Sequence, residues 1–316
     1  MKLKMAKADF KNSVPGNNND PPWRAQAPAK VNLFLRLLGR RPDGYHELET
    51  VLHTVDLADT VEISPAQSTC VLGAGASIPS GEDNLAVKAL RLMQQRFPGL
   101  GEYAIRLEKI IPAGGGLGGG SSDAITTMKL LARHVLNLDD ERLRRELTPL
   151  AAALGSDTVF FLHGGTALCT GRGERVQSIP HRQLFFNLIL PSFPCATAEV
   201  YRACRPGDWQ AQPAGIWIAP WSQSGLSRPQ NDLEPACVRA YPAMDALITR
   251  LRASGTPICL SGSGSTLFTV HEKLEDQEAC HSRLAPFLSK DEKLVPVCSL
   301  DFPNSSENAV DAQGCS

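Results

Sequence analysis

The sequence predicts a chain of mixed strands and helices arranged in two parts. Three observations carry this expectation. The chain has 316 residues and 42% hydrophobic composition, enough to bury a large core, most simply as two domains. Strand-period and helix-period segments alternate around a glycine-rich turn at 114–120. From about Pro180 the pattern changes to a buried apolar run, an irregular lobe and a second Gly/Ser loop. The expected layout is a disordered extension at 1–24, a first domain at 25–180, a second at 181–301 and a disordered tail at 302–316.

Composition narrows the function classes. A net charge of −1 offers no basic surface for nucleic acid or an acidic membrane, so any anion site must be local. The nine cysteines are scattered and none forms a C-x-x-C, so neither a zinc site nor a redox pair is visible, and buried inert thiols in a reducing compartment are expected. The longest apolar run, Leu184–Leu190, is too short to span a bilayer. The first residues carry lysines at 2, 4, 7 and 11 without an apolar stretch, unlike a signal peptide. A cytoplasmic chain is the expectation.

In order along the chain, Ala25–Leu38 is the first strand. Lys30 and Asn32, two residues apart, share one face of it. Taken alone, an exposed lysine on the wet face of an edge strand, the commonest fate of a lysine, is the better explanation of Lys30. Arg40–His46 holds a Pro-Asp-Gly turn that places Tyr45 and His46 at a hairpin mouth. There they either meet a flat ligand or cover the hairpin, and the residues leave both open. Leu48–Ile63 continues as strand with a turn expected at 56–59, and Asn84 caps a helix to Phe97.

Tyr103–Lys109 alternates apolar and polar residues as a strand does, and the run after it reads I-P-A-G-G-G-L-G-G-G-S-S-D. Six glycines fill seven positions between that strand and a helical pattern for which Ser121, Ser122 and Asp123 are the expected cap. A linker needs no ordered element on both sides; a phosphate loop does. Peptide N–H groups without Cβ interference and a helix N-terminus together bind phosphate. Gly120 is followed by Ser121, so the P-loop lysine is missing. Gly114, Gly116 and Gly119 match G-x-G-x-x-G, but the next segments are helical, which removes the dinucleotide context.

A second helix, Glu141–Leu154, ends at Gly155-Ser156-Asp157, just before an apolar stretch. Asp157 there is either a helix N-cap or a catalytic acid held by a rigid surround. Gly164–Ile179 reads as a hairpin turning at Gly171-Arg172-Gly173. Beyond it come a strand at Leu184–Leu190, a short helix at Thr197–Cys204, and the lobe Arg205–Gln230 with three of the four tryptophans. Helices from Asn231 to Ser254, the loop Ser261–Thr266 between apolar strands, a helix at Glu272–Leu288 and a short strand complete the chain.

Four separated segments resemble the GHMP small-molecule kinases: P-A-K-V-N at 28–32, P-A-G-G-G-L-G-G-G-S-S at 112–122, G-S-D at 155–157 and S-G-S-G-S at 261–265. R-P-D-G-Y-H at 41–46 and N-D-L-E at 231–234 resemble the branch of that family acting on a cytidyl diphosphate ester. The resemblance covers roughly residues 25–300 in order. It implies an α+β fold with a ribosomal-protein-S5-like ATP-binding domain and a ferredoxin-like second domain. The implied reaction moves the ATP γ-phosphoryl group to the 2-hydroxyl of cytidyl-diphospho-methylerythritol in non-mevalonate isoprenoid synthesis, with Mg²⁺ as cofactor. Asp157 would accept or orient the hydroxyl proton and Lys30 would hold the hydroxyl and the phosphoryl group. Pro112, Ala113, Gly114, Gly115, Gly116, Leu117, Gly118, Gly119 and Gly120 would wrap the phosphates. Ser121 or Ser122 would stand near the β-phosphate or the metal. Asn84 and Lys109 resemble adenine-side contacts. Tyr45 and Tyr201 would sandwich the cytosine, His46 would bond its polar edge, and Asn32 and Thr197 would support the substrate. No nucleic-acid or membrane partner is implied, and the chain is expected as a monomer or weak homodimer. One departure stands beside the proposed acid: the family usually continues Val-Pro, and here Thr158-Val159 follows Asp157.

Overall fold

A computed structural model describes residues 21–75, 78–79, 81–209 and 229–301. The expected disordered extension and tail, and most of the tryptophan-rich lobe, lie largely outside the described residues. The first sheet is built on two long strands, β1 (Trp23–Arg40) and β2 (His46–Pro65), paired antiparallel along their length. The Pro-Asp-Gly turn joins them, with Gly44 at φ +87°. Strands β3 (Cys70–Gly75) and β4 (Tyr103–Lys109) extend the sheet beyond the far half of β2. The near half of β2 pairs with β5 (Thr166–Gly171), which pairs with β6 (Arg175–Ser178). In β4 the predicted alternation holds: Tyr103, Ile105 and Leu107 are buried, Arg106 and Glu108 exposed.

The turn expected at 56–59 is not a turn. Pro28 pairs with Ala58 and Ala29 with Val55, so Asp56 and Leu57 form a bulge inside a continuous strand. The two acids point away from the ladder to different anchors. Asp56 accepts the Cys298 N–H at 2.9 Å. Asp59 accepts those of Ile110 and Ile111 at 2.5 and 2.8 Å.

Helices α1 (Leu85–Arg96), α2 (Gly119–His134), α3 (Asp140–Leu154) and α4 (Thr158–His163) cover the first sheet over a core that includes Ile63, Leu90, Met93, Ile105, Met128 and Phe160. Asn84 caps α1 as predicted, its side chain accepting from Ala86 N–H. A second sheet, ordered β11 (Lys293–Cys298), β7 (Phe185–Leu190), β10 (Leu267–His271), β9 (Cys259–Leu260), is antiparallel throughout. Around it stand α5 (Thr197–Arg202), α6 (Glu234–Ala240), α7 (Pro242–Arg252) and α8 (Leu274–Leu284). The two sheets share a core in which Val31, Leu33 and Val55 of the first meet Phe186, Leu188 and Phe268 of the second. Strand β8 (Gln230–Asn231) leaves the second half of the chain to pair with β1. None of the described helices is long and apolar enough to cross a membrane. None of the eight described cysteines is in a disulfide, and five of them are buried.

Candidate active site

Val31 and Leu33 of β1 face the shared core, so Lys30 and Asn32 take the other face. That face is not wet: Lys30 is 2% exposed and Asn32 3%. An ammonium has three protons to give, and here two are hydrogen-bonded while a carboxylate stands at ion-pair distance. Lys30 Nζ donates to Asn32 Oδ1 at 2.5 Å and to the Gly116 carbonyl at 2.9 Å, and lies 3.3 Å from Asp157 Oδ2. The edge-lysine explanation is excluded. Asp157 occupies the position before α4 without capping it. Its carboxylate turns to Lys30 and remains about one-third exposed. Thr158 Oγ1 lies within hydrogen-bond distance of the carbonyls of Ala151 and Gly155, at 2.5 and 2.6 Å, and its one proton goes to this pair. A side-chain clasp thus holds the turn before α4.

The glycine loop is anchored by its carbonyls. Those of Gly114, Gly115 and Leu117 accept the backbone N–H of Cys195, Thr266 and Lys30 at 3.2, 3.1 and 3.0 Å. That of Gly116 accepts Lys30 Nζ and the Ser261 hydroxyl, the latter at 3.1 Å. In a trans peptide the following N–H points opposite its carbonyl. The N–H groups of Gly115, Gly116, Leu117 and Gly118 are therefore turned away from these anchors, which is how a backbone cradle for an anion is made. Gly116, at φ +73°, is packed so closely against the second Gly/Ser loop that a Cβ would lie 2.2 Å from the Ser261 carbonyl oxygen.

Helix α2 is capped at least three residues earlier than predicted, by left-handed Gly118 without a side-chain cap, and starts at Gly119. Ser121 and Ser122 lie in its first turn, and Asp123 opens the second. The physical reason is the glycine run itself: it makes the turn without a capping side chain, which leaves the helix N–H groups for a ligand. Ser121 lines the cavity beside the loop, whereas Ser122 is 1% exposed, lies off the cavity lining and has an unpartnered hydroxyl among the described residues.

All the remaining predicted site residues line one cavity of about 1310 Å³. At the end walled by Leu85, Leu107 and Ile111 stand Asn84 and Lys109. Their polar atoms already have protein partners. The Asn84 amide caps α1 and donates to the Pro79 carbonyl, and Lys109 Nζ is held between Asp59 and Asp123, 2.6 Å from the latter. Lys109 is thus a strut of the loop, with its ammonium taken up by two carboxylates. Burial raises the Asp123 carboxyl to about 6 against the pull of Lys109.

At the opposite end Tyr45 is 55% exposed, with the Arg172 guanidinium over its ring at 4.8 Å. His46 is buried against the rings of Tyr201 and Trp209, at 5.2 and 5.9 Å. Burial, then the nearby Arg40 charge, lowers its pKa, so the imidazole is held neutral. Thr197 shares a hydrogen bond of 2.9 Å with Ser263 of the second loop. Arg40, Arg172 and Arg202 line this end and give it a positive rim. Sequence reading passed over these arginines. The motif around Arg172 read only as a turn, and nothing local marked its approach to Tyr45.

Comparisons with known proteins agree with this arrangement. A family model described as the GHMP kinases N terminal domain matches residues 84–165, and one described as GHMP kinases C terminal matches 221–289. A 4-diphosphocytidyl-2-C-methyl-D-erythritol kinase of Bradyrhizobium sp. (strain BTAi1) is 35% identical over 84% of this chain and 92% of its own. A crystal structure of 4-(cytidine 5'-diphospho)-2C-methyl-D-erythritol kinase, 32% identical, superposes with a TM-score of 0.69 over 88% of this chain and 100% of that one. A homoserine kinase of Cytophaga hutchinsonii shares the fold alone, at 17% identity and a TM-score of 0.62 over 88% of this chain and 94% of its own. The chain belongs to the 4-diphosphocytidyl-2-C-methyl-D-erythritol kinase family, a branch of the GHMP kinases.

Proposed function

We propose that this chain transfers the γ-phosphoryl group of ATP to the 2-hydroxyl of 4-diphosphocytidyl-2-C-methyl-D-erythritol, within non-mevalonate isoprenoid synthesis. The observation that carries it is the placement of the Lys30–Asp157 pair in the same cavity as the glycine cradle and an aromatic, arginine-rimmed end. ATP phosphates sit on the N–H groups of the loop, and the cytosine meets Tyr45, Tyr201 and the neutral His46. The arginine rim answers the substrate's diphosphate.

Phosphoryl transfer needs position and neutralised charge more than covalent help from the protein. Two of the three Lys30 protons are fixed on neutral acceptors, Asn32 and Gly116. The third, with Asp157 only at ion-pair distance, is the one to be offered to an incoming phosphoryl oxygen. Asp157 then orients the acceptor hydroxyl and takes its proton as the oxygen bonds phosphorus and ADP leaves. Mg²⁺ would neutralise phosphate charge. Ser121 on the cavity wall and the unpartnered buried Oδ1 of Asp123 fit such an ion, with ATP oxygens and water as its other ligands.

ADP release measured against a panel of the cytidyl substrate, erythritol phosphates, homoserine and galactose tests the assignment. Turnover with the cytidyl substrate alone is expected, and preference for homoserine or galactose overturns it. Asp157→Asn should keep ATP binding and lose turnover by about 10²–10⁴-fold. Parental turnover in that variant would remove Asp157 from the mechanism.

A further inference from the structure

We infer that Thr50 is a positioning residue for phosphoryl transfer: it fixes the orientation of the Asn32 amide, and so makes Asn32 an acceptor for Lys30. The inference rests on the proposed role of Lys30 and deepens it. An asparagine side chain carries an acceptor oxygen and a donor nitrogen of nearly the same shape, so nothing in its packing decides which one faces Lys30. The wrong choice would aim N–H groups at an ammonium.

The choice is made one step further back. Thr50 Oγ1 donates its single proton to the Phe34 carbonyl at 2.6 Å. With that proton committed, the same oxygen meets Asn32 as an acceptor only, and Asn32 Nδ2 donates to it at 2.9 Å. Nδ2 is thereby turned to Thr50 and Oδ1 to Lys30, 2.5 Å from Nζ. The backbone explains why Thr50 reaches both groups. Asn32 pairs with Leu52 and Phe34 with Val51, leaving Leu33 as a bulge in β1. A bulge beside an active site commonly re-aims a side chain, and this one brings the Phe34 carbonyl and the Asn32 amide to one hydroxyl. All three members of the relay are buried, Thr50 at 4%, so water is a poor substitute for any of them. The Asn32 backbone is pinned as well, its N–H donating to Ser261 Oγ at 3.3 Å. The side-chain orientation is then the remaining freedom, and Thr50 removes it.

Thr50→Val keeps the shape and deletes the hydroxyl. Its kcat should fall roughly ten- to a hundredfold, the rate equivalent of one misdirected hydrogen bond to a charged group. KM for ATP should stay unchanged, because the glycine cradle is untouched. Thr50→Ser, which restores the hydroxyl, should recover most of the lost kcat. In an Asn32→Ala background Thr50→Val should have no further effect on kcat, since the amide it orients is gone. A parental kcat in Thr50→Val, a Thr50→Ser variant as slow as Thr50→Val, or additive losses in the double variant would each overturn the inference. Turnover is read with whichever alcohol the parental enzyme phosphorylates. A preference for another alcohol therefore overturns the substrate assignment and leaves the Thr50 test standing.

Discussion

At the scale of single residues, Tyr45 gives the sharpest test of substrate choice. One face of its ring carries the Arg172 guanidinium, and more than half of the side chain is open. A base stacked on the free face would complete a three-layer arrangement with the cation outermost. Tyr45→Ala should weaken binding of the cytidyl substrate by about 1–3 kcal/mol, seen as a raised KM with kcat far less affected. An unchanged KM would argue for a different acceptor alcohol. Lys30, Asn32 and Asp157 were legible in sequence because each lies in a short motif. Arg172 and Thr50 were not, because their partners are set by strand register. Thr50 lies 18 residues from Asn32, and Arg172 reaches Tyr45 from a separate hairpin. Tyr45 itself stayed ambiguous on its residues alone, since a hairpin cover and a stacking platform are the same side chain until its neighbours are known.

At the scale of elements, the glycine loop is held open by a buried acid that sequence reading placed in a turn. Asp59 is fully buried and binds the entry to the loop through the N–H groups of Ile110 and Ile111. Through Lys109 it is tied to Asp123 near the start of α2, just past the exit from the loop. One carboxylate thus staples both ends of the cradle. Local composition, D-L-A-D, suggested only a turn, because the partners lie about fifty residues further on. Asp59→Asn turns one acceptor oxygen into a donor facing Lys109 and breaks a buried pair, which should cost about 3–5 kcal/mol in denaturant unfolding. KM for ATP should rise more than KM for the alcohol. If unfolding and KM for ATP are both parental, the staple is not what shapes the loop. The packing of the two Gly/Ser loops gives a companion expectation: Gly116→Ala has no room beside the Ser261 carbonyl and starts from φ +73°, so it should abolish turnover.

At the scale of the molecule, the two sheets are clasped where the chain leaves β11 and crosses β2. Leu300 N–H donates to the Thr54 carbonyl at 3.0 Å, and Ser299 N–H to that of Leu184 at 2.9 Å. Under this crossing His53 is completely buried, with Nε2 2.6 Å from Ser299 Oγ and Nδ1 2.8 Å from Thr166 Oγ1. Burial, helped by His181 stacked on it at 5.1 Å, lowers its pKa from 6.5 to about 3. Asp301, 3.9 Å from His181, supplies a balancing charge to that outer ring. The folded pKa lies below the unfolded one, so the unfolded chain binds the proton first. The stability His53 contributes is complete above 6.5 and drains away as pH falls towards about 3. His53→Gln cannot titrate and makes the clasp less well, so it should melt below the parental protein near neutral pH. The gap should then narrow as the medium is acidified, because only the parent has His53 to charge, while His181 titrates in both proteins. Thermal melts of both proteins at about pH 8, 6 and 4.5 measure that gap. A gap that stays constant would mean that His53 is not the group through which acid opens the joint between the sheets.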